Sequence, residues 1–279
     1  MSQAETTGTR VRPLALLGSE LGLLFRRRRT WAMLAALALV PVLIGVAVRF
    51  RPNAESGPPF LTAISENGLF VSFTALTVSV PLFLPLTVGV VAGDTIAGEA
   101  SLGTLRYLLV APTTRVRVLL VKYAAAAVFA IAAPLVVLLA GIAVGALLFP
   151  IRDVTLLSGV TVDAGGFAVR CALLVVYVAV SLLGLSAIGL FLSTLTTVPV
   201  GAMAATIVLA AASQILDSLP QLDWLHPWLF SHWWFGFADF LREPIVWDSF
   251  QSNALLQLGY VALFGALAYG RLSTKDILT

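Results

Sequence analysis

Five long apolar runs free of Asp, Glu, Lys and Arg divide the chain, and polar, basic or Gly/Pro-punctuated segments separate them. The runs are Trp31–Val48, Leu69–Gly93, Tyr123–Phe149, Cys171–Leu216 and Ala254–Gly270. A helix of about 20 apolar residues crosses the roughly 30 Å hydrocarbon layer of a bilayer, so four of the five read as single membrane spans. The 46 residues from Cys171 to Leu216 are too many for one. As a single helix they would reach roughly 70 Å at 1.5 Å per residue. The pattern therefore predicts a fold-back at Ser193-Thr194-Leu195-Thr196-Thr197-Val198-Pro199, where hydroxyls precede a proline that disfavours helix at the residue before it. Six spans result. Pro41, Pro81, Pro85 and Pro134 fall inside them as candidate kinks.

Composition agrees with this pattern. Hydrophobic residues make up 59% of the 279 and charged ones 11%, and the mean hydropathy is +0.98. Backbone in lipid must satisfy its own hydrogen bonds, so runs of this length are helices, and the alternating pattern of a membrane barrel is absent. The expected fold class is an all-α polytopic membrane protein in one transmembrane domain spanning 1–279. The single cysteine, Cys171, reads as a small buried hydrophobe and excludes a disulfide within the chain.

Charge then orients the spans. With the amino terminus in the cytoplasm, twelve of the 17 Lys and Arg fall on the inner side, leaving Arg49, Arg51, Arg152, Arg170 and Arg242 outside. The expectation is a multi-pass protein of the cytoplasmic membrane with both termini inside. The net charge of +3 expresses this asymmetry; with no basic stripe interleaved with aromatics, no nucleic-acid partner is expected. Leu14, Leu17, Leu21, Leu24 and Phe25 recur at helical spacing ahead of Arg26, Arg27, Arg28 and Arg29. Residues 13–29 are thus expected to form an amphipathic helix on the inner leaflet, with membrane lipid as its partner.

The outer segment 217–252 is unusually aromatic: His226, Trp228, His232, Trp233 and Trp234 stand close together, followed by Phe235, Phe237, Phe240 and Trp247. Rings with a polar edge prefer the headgroup level, so the segment reads as a re-entrant or interfacial element. It is an anchor belt in one reading and an exit gate in the other. The two histidines have no cysteine or nearby third ligand, and no metal site is expected.

Small-xxx-small stripes at Gly89/Gly93 and Gly141/Gly145 predict close helix packing, against either another span or a second subunit. Catalytic signatures are missing. Neither lysine follows a glycine, so there is no P-loop and no nucleotide-binding domain, and no Gly-x-Ser-x-Gly or His-Glu-x-x-His motif occurs. The span interiors also lack the acidic residues or lysines a proton- or sodium-coupled carrier uses. Enzymatic activity of the chain by itself is not expected.

One polar loop breaks the apolar sequence, between the second and third spans. It runs Gly93-Asp94-Thr95-Ile96-Ala97-Gly98-Glu99, then Gly103-Thr104-Leu105-Arg106-Tyr107-Leu108-Leu109, then Ala111-Pro112, Arg115 and Lys122. This resembles the cytoplasmic signature of ABC-2 type permeases, the membrane subunits of bacterial ABC exporters of the type V arrangement. The six spans, the amphipathic entrance and the elaborate last outer loop resemble that family too. The resemblance implies a permease that pairs with an identical or sibling permease and docks two separate ABC ATPase subunits. ATP and Mg would be bound there, with no cofactor in this chain. It further implies that 94–117 is a cytoplasmic coupling region. In that role Leu102, Leu105 and Leu109 would insert into a groove of the ATPase, while Glu99 and Arg106 orient the helix. Gly98 and Gly103 would permit turns, Thr104 completes the motif, and Pro112 would stop the helix. Arg115, Arg117 and Lys122 would hold the third span at the anionic inner leaflet. The expected cargo is amphiphilic or hydrophobic, because the spans carry no fixed charge. A non-transporting membrane scaffold and a secondary carrier stand as alternatives.

Overall fold

The computed structural model describes residues 13–50, 64–103 and 115–274. A short helix α1 (Pro13–Arg26) turns at Arg27 into the first long helix, α2 (Arg28–Arg49). The turn is capped from the α2 side: Thr30 Oγ1 donates to Leu24 O at 2.6 Å and Trp31 Nε1 to Phe25 O at 2.7 Å, satisfying carbonyls at the end of α1.

The second crossing is a bent pair, α3 (Phe70–Ser79) and α4 (Phe83–Asp94), inclined at 54°. Of the four prolines, only Pro81 sits at a break. Pro41 lies inside a continuous α2, and Pro85 lies in the first turn of α4, where its missing N–H costs nothing. The Pro81 carbonyl at the break accepts from Gln214 Nε2 at 2.6 Å, so it is satisfied from a neighbouring helix.

A five-residue helix, α5 (Ala97–Ser101), follows α4 almost at once. The third crossing is α6 (Arg115–Leu148), continuous through Pro134. A small hairpin, β1 (Val154–Thr155) antiparallel to β2 (Thr161–Val162), leads to α7 (Ala164–Ser181), whose N-cap Asp163 accepts from Gly166 N at 2.8 Å.

After Leu182 the chain continues as α8 (Leu183–Leu195), and the two helices together make one crossing of 32 residues. The predicted fold-back follows. Thr196 and Val198 are extended, Thr196 Oγ1 accepts from Val198 N at 3.0 Å, and Pro199 opens α9 (Pro199–Asp217) at a position where its ring is pre-organised for helix.

The segment 218–247 forms three 3₁₀ turns at Pro220–Leu222, His226–Trp228 and His232–Leu241, before the last helix α10 (Asp248–Thr274). Among the described residues five helices are long and apolar enough to cross a membrane, and the bent α3–α4 pair, taken as one span, brings the number to six. The fold is an all-α polytopic membrane protein.

The glycine stripes pack within the chain. A Cβ at Gly93 would stand 2.7 Å from Met203 N in α9, and one at Gly141 would stand 2.5 Å from Ser72 Cα in α3. At Gly145 the added atom would strike the Gly68 carbonyl. Backbones therefore approach closely at α4/α9 and α6/α3, as small residues allow. Leu43, Leu139, Leu147, Val208, Leu255 and Leu258 remain exposed along the outside of the bundle, apolar surface that lipid would cover.

Candidate functional site

Residues 94–99, between the second and third crossings, form with α1, the start of α2 and the start of α6 a cluster of ion pairs at one end of the bundle. Lys122 lies two turns into α6 with its side chain 3% exposed. Its Nζ donates to Glu99 Oε1 of α5 at 2.5 Å and faces both carboxylate oxygens of Glu20 of α1 at 3.4 Å. One ammonium thus serves two carboxylates from two elements.

Beside it, Asp94 at the end of α4 accepts Arg27 at 2.6 Å and is also ion-paired to Arg29. Asp94 Oδ1 would lie 2.8 Å from a Cβ at Gly98. The glycine gives that carboxylate its room, and it lies within α5. Sequence reasoning gave Gly98 a turn instead, which is corrected here. A cavity of about 50 Å³ separates the two groups of charges, bounded by Glu20, Arg27, Asp94, Glu99 and Lys122 among others.

The start of α5 is tied to α8 as well. Ser193 Oγ accepts from Ile96 N at 2.9 Å and from Ala97 N at 2.8 Å, satisfying N–H groups that a helix start leaves open. At its other end α5 stops at Ser101, where Leu102 is 74% exposed and Gly103 takes φ +69°, the left-handed conformation glycine adopts without strain.

Several anticipated roles change. Lys122, expected at the leaflet surface, is buried against two protein carboxylates. Glu99, expected to orient the helix by polar contact, pairs with Lys122. Arg115 caps the final helix, its Nη1 donating to Leu272 O at 2.5 Å and Ser273 O at 2.8 Å. Arg117 is half-buried. All four arginines of the quartet are exposed, and Arg27 and Arg29 reach Asp94. Thr104, Leu105, Arg106, Leu109 and Pro112 lie outside the described residues.

At the opposite end the aromatic segment folds inward. Trp234 is 1% exposed, its Nε1 donating to Ser181 O at 3.0 Å, and Phe230, Phe237 and Phe240 are buried with it. An interfacial position for Trp234 is therefore corrected: its ring fills the core and its N–H satisfies a carbonyl at the α7–α8 junction. Trp228 is 69% exposed and Trp233 half-buried, beside an apolar groove of about 860 Å³ along α10.

His226 and His232 face one another with ring centroids 6.0 Å apart. His232 Nδ1 lies 2.6 Å from Asp217 and His226 Nδ1 3.7 Å from Asp223. Among the described residues no group of three or more His, Cys, Asp or Glu is placed to hold a metal ion.

Sequence reasoning missed a buried polar seam. Asn253 Nδ2 donates to Ser181 Oγ at 2.7 Å; Gln257 Nε2 donates to Phe230 O at 2.8 Å, and its Oε1 accepts from Gly184 N at 3.0 Å. The signal was present as amides four residues apart in an apolar helix. Arg170, counted among the outer charges, is buried, paired with Glu243, and donates to Phe240 O at 3.0 Å.

Six crossings, a short loop helix held by ion pairs at one end and an infolded segment at the other define a multi-pass helical membrane protein. The family model for ABC-2 family transporter proteins matches residues 16–213, from α1 through α9, and the chain belongs to that family. A comparison with curated proteins found no match.

Proposed function

We propose that this chain is the permease subunit of an ATP-driven exporter, with ATP bound and hydrolysed by a separate ABC ATPase that docks on α5 and the loop beyond it. The observation that carries this reading is the mounting of α5. Three attachments grip it from behind: Lys122 to Glu99, Ser193 to its first N–H groups, and the Gly98 backbone against Asp94. Its far end offers the exposed Leu102. An element clamped to three helices and bare at its tip transmits a push without deforming. Glu99 acts here as a positioning residue and Leu102 as a docking one.

In this reading the α1/α5 end faces the cytoplasm, both termini lie inside, and the membrane is the cytoplasmic one. Two ATPase copies act on a pair of permeases, identical or sibling. The apolar groove beside Trp228 and Trp233 favours an amphiphilic or hydrophobic cargo. Closure of the ATPase on ATP would shift the permease pair between inward-facing and outward-facing or collapsed states.

Affinity purification in mild detergent tests this directly. A stoichiometric ATPase should co-purify with the parent chain and be lost or weakened in Leu102→Asp, while Glu99→Ala keeps membrane insertion and uncouples hydrolysis from export. A parent chain that inserts stably yet carries no ATPase would overturn the reading in favour of a scaffold or carrier.

A further inference from the structure

We infer that α8 is the transmission rod between the ATPase-docking end and the infolded aromatic segment at the other end of the bundle. The inference rests on the coupling role of α5 proposed above. Ser193 and Gly184 lie near opposite ends of α8, about 14 Å apart at 1.5 Å per residue. Ser193 Oγ holds the first two N–H groups of the α5 turn, Ile96 at 2.9 Å and Ala97 at 2.8 Å. Gly184 N donates to Gln257 Oε1 at 3.0 Å, and the same amide donates through Nε2 to Phe230 O in the aromatic segment at 2.8 Å.

Both fastenings are buried. In surroundings without water a broken hydrogen bond finds no replacement, so neither end slips when the other moves. Flanking contacts are equally tight: a Cβ at Gly189 would stand 2.7 Å from Ala92 Cβ of α4, and one at Gly184 would strike Gln257 Oε1. A displacement of α5 is therefore carried along α8 to Gln257 and on to the backbone at Phe230. Gln257 and Ser193 are positioning residues in this scheme.

The test uses the permease with its co-purified ATPase in lipid nanodiscs. Cys171→Ala removes the native thiol, and Asp223→Cys places a nitroxide or fluorophore on the aromatic segment, where the native side chain is 80% exposed. The probe is ATP with orthovanadate. The parent should show a nucleotide-driven signal change at position 223. Ser193→Ala and Gln257→Met should each reduce it by roughly threefold or more, within the range that substitutions along coupled networks impose. Ser193→Thr, which keeps the hydroxyl, should retain it. ATPase attachment and monodispersity on gel filtration verify that each variant is folded.

A full-amplitude change in both Ser193→Ala and Gln257→Met overturns the rod and leaves the coupling reading intact. So does a parent complex that turns over ATP with no change at 223. A parent chain with no attached ATPase overturns the coupling reading, and the rod with it.

Discussion

Lys122 Nζ donates to Glu99 Oε1 at 2.5 Å while facing Glu20 at 3.4 Å, so α1, α5 and α6 meet on a single buried ammonium. Removing it leaves two carboxylates without their cation. Lys122→Met should destabilise the protein by roughly 3–5 kcal/mol, the cost of breaking a buried pair from one side. Adding Glu99→Gln to Lys122→Met should recover part of that loss, because the uncompensated charge goes with it. Thermal unfolding of the purified variants in one detergent measures both. A double variant less stable than Lys122→Met alone would sink the argument.

Asp94 tests redundancy. Arg27 and Arg29 both pair with it, and their side chains are 46% and 43% exposed, so water competes with each. Each single Arg→Gln change should cost no more than about 1 kcal/mol. Together they should cost more than the sum, since the second removes the last partner of a largely buried carboxylate. Strict additivity in a double-mutant cycle would show that the two arginines do not share the charge.

The glycines divide into two groups with opposite expectations. Gly93→Ala brings a methyl within 2.7 Å of Met203 N, and Gly141→Ala brings one within 2.5 Å of Ser72 Cα. Backbone cannot yield as a side chain does, so each should cost about 1–3 kcal/mol, the usual penalty of overpacking. Gly201 and Gly259 have nothing within 4 Å. Gly201→Ala and Gly259→Ala should leave the melting temperature within a degree or two of the parent, as surface changes of about ±0.5 kcal/mol do. Equal losses in both groups would refute the packing assignment.

Much of this fold was legible in the sequence because bilayer physics leaves few options. Charge-free runs of span length had to be helices, and the hydroxyl cluster before Pro199 marked the fold-back at the position where it occurs. The bend at Pro81 was harder to read, since four prolines looked alike until a helix start absorbed Pro85 and continuous helices absorbed Pro41 and Pro134. Loop charges misled for a related reason. Position along the chain shows that Lys122 lies near a span end, but only three-dimensional packing shows Glu20 approaching across 102 residues. Trp234 read as an interfacial aromatic because composition cannot say which rings of a cluster turn inward.

Topology offers the remaining prediction, and it tests the proposed orientation by itself. In a Cys171→Ala background, Asp223→Cys and Leu102→Cys place thiols at exposed positions at opposite ends of the bundle. If the basic end faces the cytoplasm, as the distribution of Lys and Arg predicts, a membrane-impermeant maleimide should label position 223 in intact cells. Position 102 should react only after permeabilisation. The reverse pattern would invert the protein, placing α5 where no cytoplasmic ATPase could reach it. Labelling of both positions in intact cells would contradict a bundle that separates them across the membrane. Because neither substitution touches the ion-pair cluster or the buried amides, the outcome reads topology rather than damage to the fold.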